Sequence, residues 1–273
     1  MLVDFAIGGI AGLVSRTATA PIELYRIQRQ NSFMPGATLR EVIRDEGLRG
    51  LWKGNGANCA RVFPQSAVNY AVYAWADRAL PLPSESRRAI SGAIGGAVSM
   101  AVTYPLETVR SRLSLQTRCN HYSGITDALR SMGRRDMFAG LGTSVVGYAQ
   151  FTAISFATYF TYRDHLDSLF PGGGPLNKLA AGGLAGQTAI CVTYPTDLVR
   201  RRLQLQRFDF SVPVYDGAID CVRRILLAEG ASGLYRGFAA TSLKLCPTTA
   251  IQFLVIDAVG GIIKRRSTEV HHE

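Results

Sequence analysis

The sequence is poor in the side chains on which most active sites and metal sites depend. Its five cysteines show no C-x-x-C spacing, and its four histidines form no metal-ligand pattern with them. We therefore expect reduced cysteines that serve packing, with no bound metal and no cofactor.

Acidic residues are also few, at 20 against 30 basic ones, which gives a formal net charge of +10. Such a balance is common in nucleic-acid-binding proteins, whose basic patches neutralise backbone phosphates. Here several basic residues lie inside apolar stretches instead of forming an exposed patch. We therefore expect no nucleic-acid partner.

Hydropathy is low for a helical bundle that lipid surrounds on every side. Apolar residues make up 47% of the chain and charged residues 18%, and the mean hydropathy is only +0.10. These values suit helices with one lipid-facing side and one wet side. The first apolar helix is predicted to begin by Leu2, so we expect an internal targeting signal and no cleaved leader.

What the sequence does contain is a motif repeated three times. A proline stands nine residues after the second glycine of a Gly-x-x-x-Gly pair, with an acid two residues later and a base five residues later. The three copies are Pro21/Glu23/Arg26, Pro105/Glu107/Arg110 and Pro195/Asp197/Arg200. The prolines are 84 and 90 residues apart, which leaves room for two membrane-length helices of roughly 20 residues per copy.

Proline and glycine clusters divide the chain into units at residues 1–83, 84–170 and 171–266, with a polar tail at 267–273. In each unit we predict a long helix, a short amphipathic helix and a second long helix. Their predicted positions are 3–30, 38–46 and 55–80, then 86–116, 124–133 and 141–167, then 176–206, 216–228 and 238–265.

A second motif precedes the second long helix of each unit: an acid, a glycine, four residues, an aromatic, a base and a glycine. The first and third copies end in Trp52-Lys53-Gly54 and Tyr235-Arg236-Gly237, whereas the middle copy, ending in Phe138-Ala139-Gly140, has lost both charges. An aromatic and a base at a helix N-terminus predict a lipid-phosphate site, with a simple helix cap as the open alternative.

With these two motifs the chain resembles the mitochondrial carrier family over residues 1–266. The resemblance implies an all-α membrane fold of six transmembrane helices in three pseudo-threefold repeats, with short matrix-side amphipathic helices. It also implies a transporter and not an enzyme, a monomer, cardiolipin as lipid partner, and alternating opening across the mitochondrial inner membrane. A peroxisomal or plastid membrane is the alternative location.

The resemblance further implies a gate of salt bridges between helices: Glu23 with Arg110, Glu107 with Arg200, and Asp197 with Arg26. Pairs within each helix, at i,i+3, remain open from the sequence. Glutamine braces are implied nine residues past the proline, where Gln30 and Gln204 match and Ser114 does not.

The charged motif that forms a gate at the other end of the bundle in this family is only partly present in this sequence. The corresponding positions are Tyr73/Ala74/Asp77, Tyr159/Phe160/Arg163 and Ile256/Asp257/Gly260, and they contain no proper acid–base pairs across the ring. We therefore expect the substrate-free protein to rest closed at the proline side.

Substrate specificity should be found where the threefold symmetry fails. Seven residues past the starting glycines Gly54, Gly140 and Gly237, the three helices present Arg61, Gly147 and Lys244. Five residues before the prolines, Arg16 stands where the other units have Met100 and Ile190. The cations Arg16, Arg61 and Lys244 suit phosphates, and Tyr148 and Phe151 suit a stacked base.

These positions match basic residues of adenine-nucleotide-type carriers, although those carriers usually have an aliphatic residue at the position of Tyr148. We therefore expect exchange of a small anionic substrate, namely adenine nucleotides such as ATP, ADP and AMP. Coenzyme A is the second reading, and phosphate or a carboxylate the third. Arg16 as a partner of a nearby acid and Phe151 as ordinary packing stay open.

Overall fold

The computed structural model describes residues 2–30, 39–81, 83–116, 122–208 and 213–245, together with 247–248, 251 and 254–255. Within these ranges the chain is helical and contains no β-strand. The predicted all-α class is therefore confirmed. The predicted extension of the last long helix to residue 265, and the polar tail at 267–273, lie outside the described residues.

The helices follow the predicted order of long, short and long in each unit. The first unit has α1 (Leu2–Ala18), α2 (Ala20–Gln30), α3 (Leu39–Glu46) and α4 (Asn55–Ala79). The second has α5 (Ser84–Leu115), α6 (Ile125–Ser131), α7 (Arg134–Met137) and α8 (Leu141–Leu169). The third has α9 (Gly174–Leu205), α10 (Ala218–Gly233) and α11, which is helical over residues 238–245.

Three details differ from the sequence-based expectation. The first long helix is interrupted at Thr19, whereas α5 and α9 continue through their prolines. The one-turn helix α7 was not predicted. Helix α10 runs five residues beyond its predicted end, with a kink at Gly230, where φ is 72°.

A threonine two residues before each proline explains how these helices accommodate the proline. The hydroxyls of Thr19, Thr103 and Thr193 donate to the carbonyl four residues earlier, at 2.8, 2.7 and 2.8 Å. Such hydrogen bonds bend helices. Proline also leaves a carbonyl without its usual donor, and in the first unit the Trp52 indole Nε1 donates to that oxygen, on Thr17, at 2.9 Å.

The interior of the bundle contains many polar side chains, and large apolar side chains are exposed on its surface. Arg112, Arg201, Gln30 and Gln204 are among the largest fully buried side chains, whereas large apolar residues are exposed on the outside, for example Ile219, Leu227, Leu176 and Trp75. Among the helices that the structure describes, none has both the length and the apolar character that would let it cross a membrane.

Three glycines fasten the units to one another. Gly54, Gly140 and Gly237 precede α4, α8 and α11 with φ of 78°, 81° and 84°, a region that side chains with a Cβ rarely adopt. At Gly140 an added Cβ would lie 3.1 Å from the Arg200 carbonyl oxygen on α9, and at Gly237 it would lie 3.1 Å from Gln30 Cγ on α2. The second motif therefore ends in glycine for two reasons, conformation and close packing.

We predict that Gly140→Ala lowers the thermal stability of the detergent-solubilised protein. A residue with a Cβ in the left-handed region costs roughly 1–2 kcal/mol, and the contact with α9 adds to that. Gly142→Ala is the matched control, because a Cβ there meets nothing within 4 Å. Thermal unfolding measures the effect, and equal unfolding midpoints for the two variants would contradict the fastening role.

Candidate gate and substrate cavity

The charged residues after the prolines meet in a ring of ion pairs between α2, α5 and α9. The three pairs are Arg110–Glu23, Arg26–Asp197 (Nη2–Oδ2, 2.5 Å) and Arg200–Glu107 (Nη2–Oε1, 2.8 Å). Contacts within a helix coexist with them, at 3.4 Å for Arg26–Glu23 and 3.5 Å for Arg200–Asp197. The structure thus brings together the partners that the resemblance implies, and their action as a gate stays a prediction.

The two glutamines lie beside the ring in different ways. Gln30 Nε2 is 3.4 Å from Asp197 Oδ2 and 3.1 Å from the Tyr194 hydroxyl, so Gln30 contacts a gate carboxylate. Gln204 instead donates to the Tyr104 hydroxyl at 3.1 Å and accepts from Ser111 at 3.2 Å. Gln204 therefore supports the ring through its neighbours and not through the Arg200–Glu107 pair.

Sequence reasoning missed two tyrosines that continue these links. The Tyr104 hydroxyl donates to the Ala139 carbonyl at 2.8 Å, and the Tyr194 hydroxyl donates to the Arg236 carbonyl at 2.7 Å. Each acceptor directly precedes a fastening glycine. The signal was present in the repeat, because a tyrosine precedes the proline in the second and third units and Ala20 in the first.

Two of the three predicted substrate cations lie on the gate carboxylates. Arg61 Nη1 is 3.1 Å from Glu107 Oε2, and Lys244 Nζ is 2.7 Å from Glu23 Oε2. Each of these acids therefore holds one gate arginine and one cation from the cavity face. The offsets along the helices predicted the side on which the cations lie, but not this pairing.

Arg16, the third predicted cation, has a different environment. Its Nη1 is 3.4 Å from the Asn58 carbonyl oxygen and 3.5 Å from Asn58 Oδ1. Among the described residues no carboxylate lies within ion-pair distance of Arg16. Its guanidinium charge therefore remains available for an anion, unlike those of Arg61 and Lys244.

The aromatic residues and the gate line one cavity of about 260 Å³, which we call the inner chamber. Its wall carries Gly147, Tyr148, Phe151, Thr193 and Thr196, and its floor is formed by Arg26, Asp197 and Arg200. Aromatic faces and hydroxyl groups can hold a base, and the floor carries charge. Among the described residues, the lining includes no histidine or cysteine, and its one carboxylate, that of Asp197, is already paired, so these residues offer no acid–base pair for catalysis.

The basic residues of the candidate lipid motif form ion pairs within the motif itself. Lys53 Nζ lies 2.6 Å from Glu46 Oε1, and Arg236 Nη1 lies 3.2 Å from Glu229 Oε2, so each base pairs with the acid of its own copy. Tyr235 stacks on Tyr194, with ring centroids 5.9 Å apart. The aromatics Trp52 and Tyr235 are exposed, and lipid binding at either copy, including Gly54 and Gly237, stays a prediction.

At the other end of the bundle the described charges form local pairs. Asp77 on α4 pairs with Arg87 on the following helix at 3.1 Å, and Arg163 pairs with its neighbour Asp164 at 2.8 Å. Ile256, Asp257 and Gly260 lie outside the described residues. Among the described residues, therefore, no ion pair crosses the bundle at this end.

Three like units of helices, with a ring of ion pairs between α2, α5 and α9, are the arrangement expected of a carrier protein. The chain belongs to the mitochondrial carrier family: the family model described as "Mitochondrial carrier protein" matches residues 1–84, 82–169 and 172–267. Its members are transporters and not enzymes. Family membership supports a location in a mitochondrial membrane.

Relatives cover nearly the whole chain. A mitochondrial adenine nucleotide transporter of Arabidopsis thaliana is 34% identical over 94% of this chain and 85% of its own. A mitochondrial adenyl nucleotide antiporter of Oryctolagus cuniculus is 31% identical over 92% of this chain and 56% of its own. A mitochondrial thiamine pyrophosphate carrier of Ajellomyces capsulatus is 30% identical, over 95% and 90%.

We predict that the substrate-free protein is closed at the proline side. A cysteine introduced as Thr152→Cys, above the inner chamber, should react quickly with a membrane-impermeant maleimide, whereas Ser111→Cys, fully buried beside the gate, should react slowly from both sides. Added substrate should speed the second reaction, because it opens the gate. Equal labelling of both positions without substrate would contradict the closed resting state.

The parent chain is the control for this labelling. Thiolates, not thiols, react with maleimides, and burial raises the pKa of the Cys221 thiol in α10 to about 12. That native thiol should therefore stay unlabelled at neutral pH. Any signal from the exposed Cys191 is present in parent and variants alike and can be subtracted.

Proposed function

We propose that this protein exchanges adenine nucleotides across the mitochondrial inner membrane by alternating access, acting as a monomer. The observation that carries the proposal is the contact of Arg61 with Glu107 and of Lys244 with Glu23. These acids also contact Arg200 and Arg26, which line the chamber that holds Tyr148 and Phe151. Nucleotide phosphates need such cations, and a base needs such aromatic faces. The names of two relatives, an adenine nucleotide transporter and an adenyl nucleotide antiporter, support the same substrate class.

The geometry suggests how binding would open the gate. Phosphate groups that bind Arg61 and Lys244 remove one cation from Glu107 and one from Glu23. Removing one partner of a buried ion pair costs roughly 3–5 kcal/mol, whereas a pair that water reaches contributes about 0–1 kcal/mol. Substrate therefore weakens the closed ring in the same step in which it binds, provided that it binds the opening state more tightly.

Coenzyme A is the second candidate, since it shares the adenosine phosphates. The inner chamber has a volume of about 260 Å³, slightly below the roughly 300–1,000 Å³ of typical small-molecule sites. That size favours a compact nucleotide. Inorganic phosphate or a carboxylate is the third candidate and would leave the aromatic wall without a role.

We predict that Arg61→Gln and Lys244→Gln each lower nucleotide exchange at least tenfold in proteoliposomes. Charge-assisted hydrogen bonds contribute about 1.5–3 kcal/mol, and about 1.4 kcal/mol corresponds to a factor of ten. Arg78→Gln is the matched control, because Arg78 is exposed near the far end of α4. Exchange at the parent rate in the first two variants would contradict their role.

A thermal-shift screen of the purified protein tests the substrate class directly. Bound ligand stabilises the folded state by mass action, so ATP, ADP or AMP should raise the unfolding temperature. Recovery of intact nucleotide from the opposite side of the membrane separates transport from an enzymatic reaction. A shift with carboxylates alone would refute the nucleotide proposal.

We also propose cardiolipin as a lipid partner of this protein. Exposed Trp52 and Tyr235 lie where α4 and α11 begin, and free N–H groups at helix N-termini favour phosphate. An apolar groove of about 940 Å³ between α8, α9 and α10, lined by Val146, Val199 and Leu226 with Arg223 among its residues, offers room for acyl chains. Cardiolipin should then raise the unfolding temperature in detergent more than a zwitterionic phospholipid does.

A further inference from the structure

A second cavity, which we call the outer chamber, lies further from the gate. It has a volume of about 500 Å³ and is bounded by α4, α5 and α8. Its lining includes Asn69, Tyr70, Tyr73, Arg88, Thr152 and Phe156. One of these residues, Tyr73, belongs to the only partly present charged motif at the other end of the bundle, and none of the six is used by the proposed substrate site.

Tyr148 lines both cavities and stands between them. On α8 the inner chamber uses residues from Thr143 to Phe151, and the outer chamber uses residues from Tyr148 to Phe156. Arg88 lies 17 residues before Pro105 on α5, which is about 25 Å along a helix axis. The two chambers are therefore arranged in series from the gate towards the opposite end.

The position of Tyr148 is one at which the repeat breaks. Eight residues past the fastening glycines stand Val62, Tyr148 and Leu245, and each faces the second glycine of the Gly-x-x-x-Gly pair in its own unit. Two units use a small aliphatic contact there. In the middle unit the tyrosine ring crosses to Gly96 on α5, where an added Cβ would collide with its ring carbons.

The ring is held by packing alone. No hydrogen-bond partner of the Tyr148 hydroxyl lies among the described residues. On the facing side, Gly95 brings α5 close to α4, because a Cβ there would lie 2.6 Å from Asn69 Oδ1. The α4–α5 wall of the outer chamber is thus tightly packed, while the partition itself is a single side chain with cavity on two sides.

The outer chamber has the chemistry of a site for an aromatic anion. Tyr70, Tyr73 and Phe156 offer ring faces, and Arg88 offers a guanidinium. Arg87 next to it pairs with Asp77 at 3.1 Å, whereas Arg88 is exposed and has no carboxylate within ion-pair distance among the side chains that the structure describes. Among the side chains that the structure describes, none that lines the chamber is acidic.

We propose that the outer chamber is a capture subsite for the nucleotide, and that Tyr148 is the partition that must turn aside before the ligand reaches the inner chamber. Arg88 binds the phosphates in this subsite, and the aromatic side chains stack on the base. The inference rests on the proposed function, because the ligand class is the same.

Exchange kinetics test the capture subsite. With nucleotide added to the side on which the outer chamber opens, in proteoliposomes of established protein orientation, Arg88→Gln should raise KM about tenfold and leave kcat near the parent value. Arg88→Lys should restore most of the affinity, because it keeps the charge. Arg78→Gln serves again as the matched control, and thermal unfolding of all variants shows that the fold is intact.

Photo-crosslinking locates the ligand. An 8-azidoadenine nucleotide should label peptides from residues 66–93, which contribute only to the outer chamber, as well as from residues 190–200, which contribute only to the inner chamber. In Arg88→Gln the first label should fall and the second should remain. In Tyr148→Leu, which places an aliphatic residue where the other units have Val62 and Leu245, the second label should form as fast as the first, because the partition no longer delays it.

The outcomes separate the two proposals. If the parent exchanges nucleotides but Arg88→Gln keeps its KM and residues 66–93 stay unlabelled, the capture subsite is refuted and the proposed function stands. If the parent neither exchanges nor is labelled by any nucleotide, both are refuted. Equal loss of affinity in Arg78→Gln would show an unspecific effect of charge and would also refute the subsite.

Discussion

The ring of ion pairs is built around two buried carboxylates that each contact more than one cation. Glu23 contacts Arg110 and Lys244, and Glu107 contacts Arg200 and Arg61. An unpaired charge in a protein interior is costly, and Lys244 and Arg61 supply each acid with a second cation. The predicted gate and the predicted substrate cations are therefore in direct contact, so an anion that bound Arg61 or Lys244 would remove a partner from Glu107 or Glu23.

The third acid of the ring shows what happens without such a cation. Asp197 contacts Arg26 and Arg200, and Gln30 donates to it. The position on α8 that corresponds to Arg61 and Lys244 is Gly147. The inner chamber opens at this place, with Gly147 and Asp197 in its lining. The missing side chain thus leaves space beside Asp197, whereas Arg61 and Lys244 occupy the corresponding positions beside Glu107 and Glu23.

Much of the fold could be predicted from the spacing of prolines, glycines and apolar residues, because these residues determine helix ends and helix faces locally. Most predicted helix ends agree within about two residues with those of α3 to α9. The break at Thr19, the short α7 and the continuation of α10 past the kink at Gly230 were not predicted. Helical offsets gave the faces of Arg61 and Lys244 but not their partners, since a long side chain reaches several positions. Tyr104 and Tyr194 could have been predicted as functional residues. Tyrosine precedes the proline in two units and Ala20 precedes it in the first, so the threefold repeat breaks at this position.

In the imperfect copies of both motifs, the two partners of a contact are absent together. The acid and base that pair as Glu46–Lys53 in the first unit are both absent from the second, where Met132 and Ala139 are buried instead. Likewise Ser114 and Ala20 replace a glutamine and a tyrosine, and the Ser114 hydroxyl lies 3.3 Å from the Lys53 carbonyl oxygen. Removing one partner alone would leave a buried polar group unsatisfied, at about 1–3 kcal/mol. An eroded copy is therefore a repacked junction, and its erosion alone does not indicate a lost function.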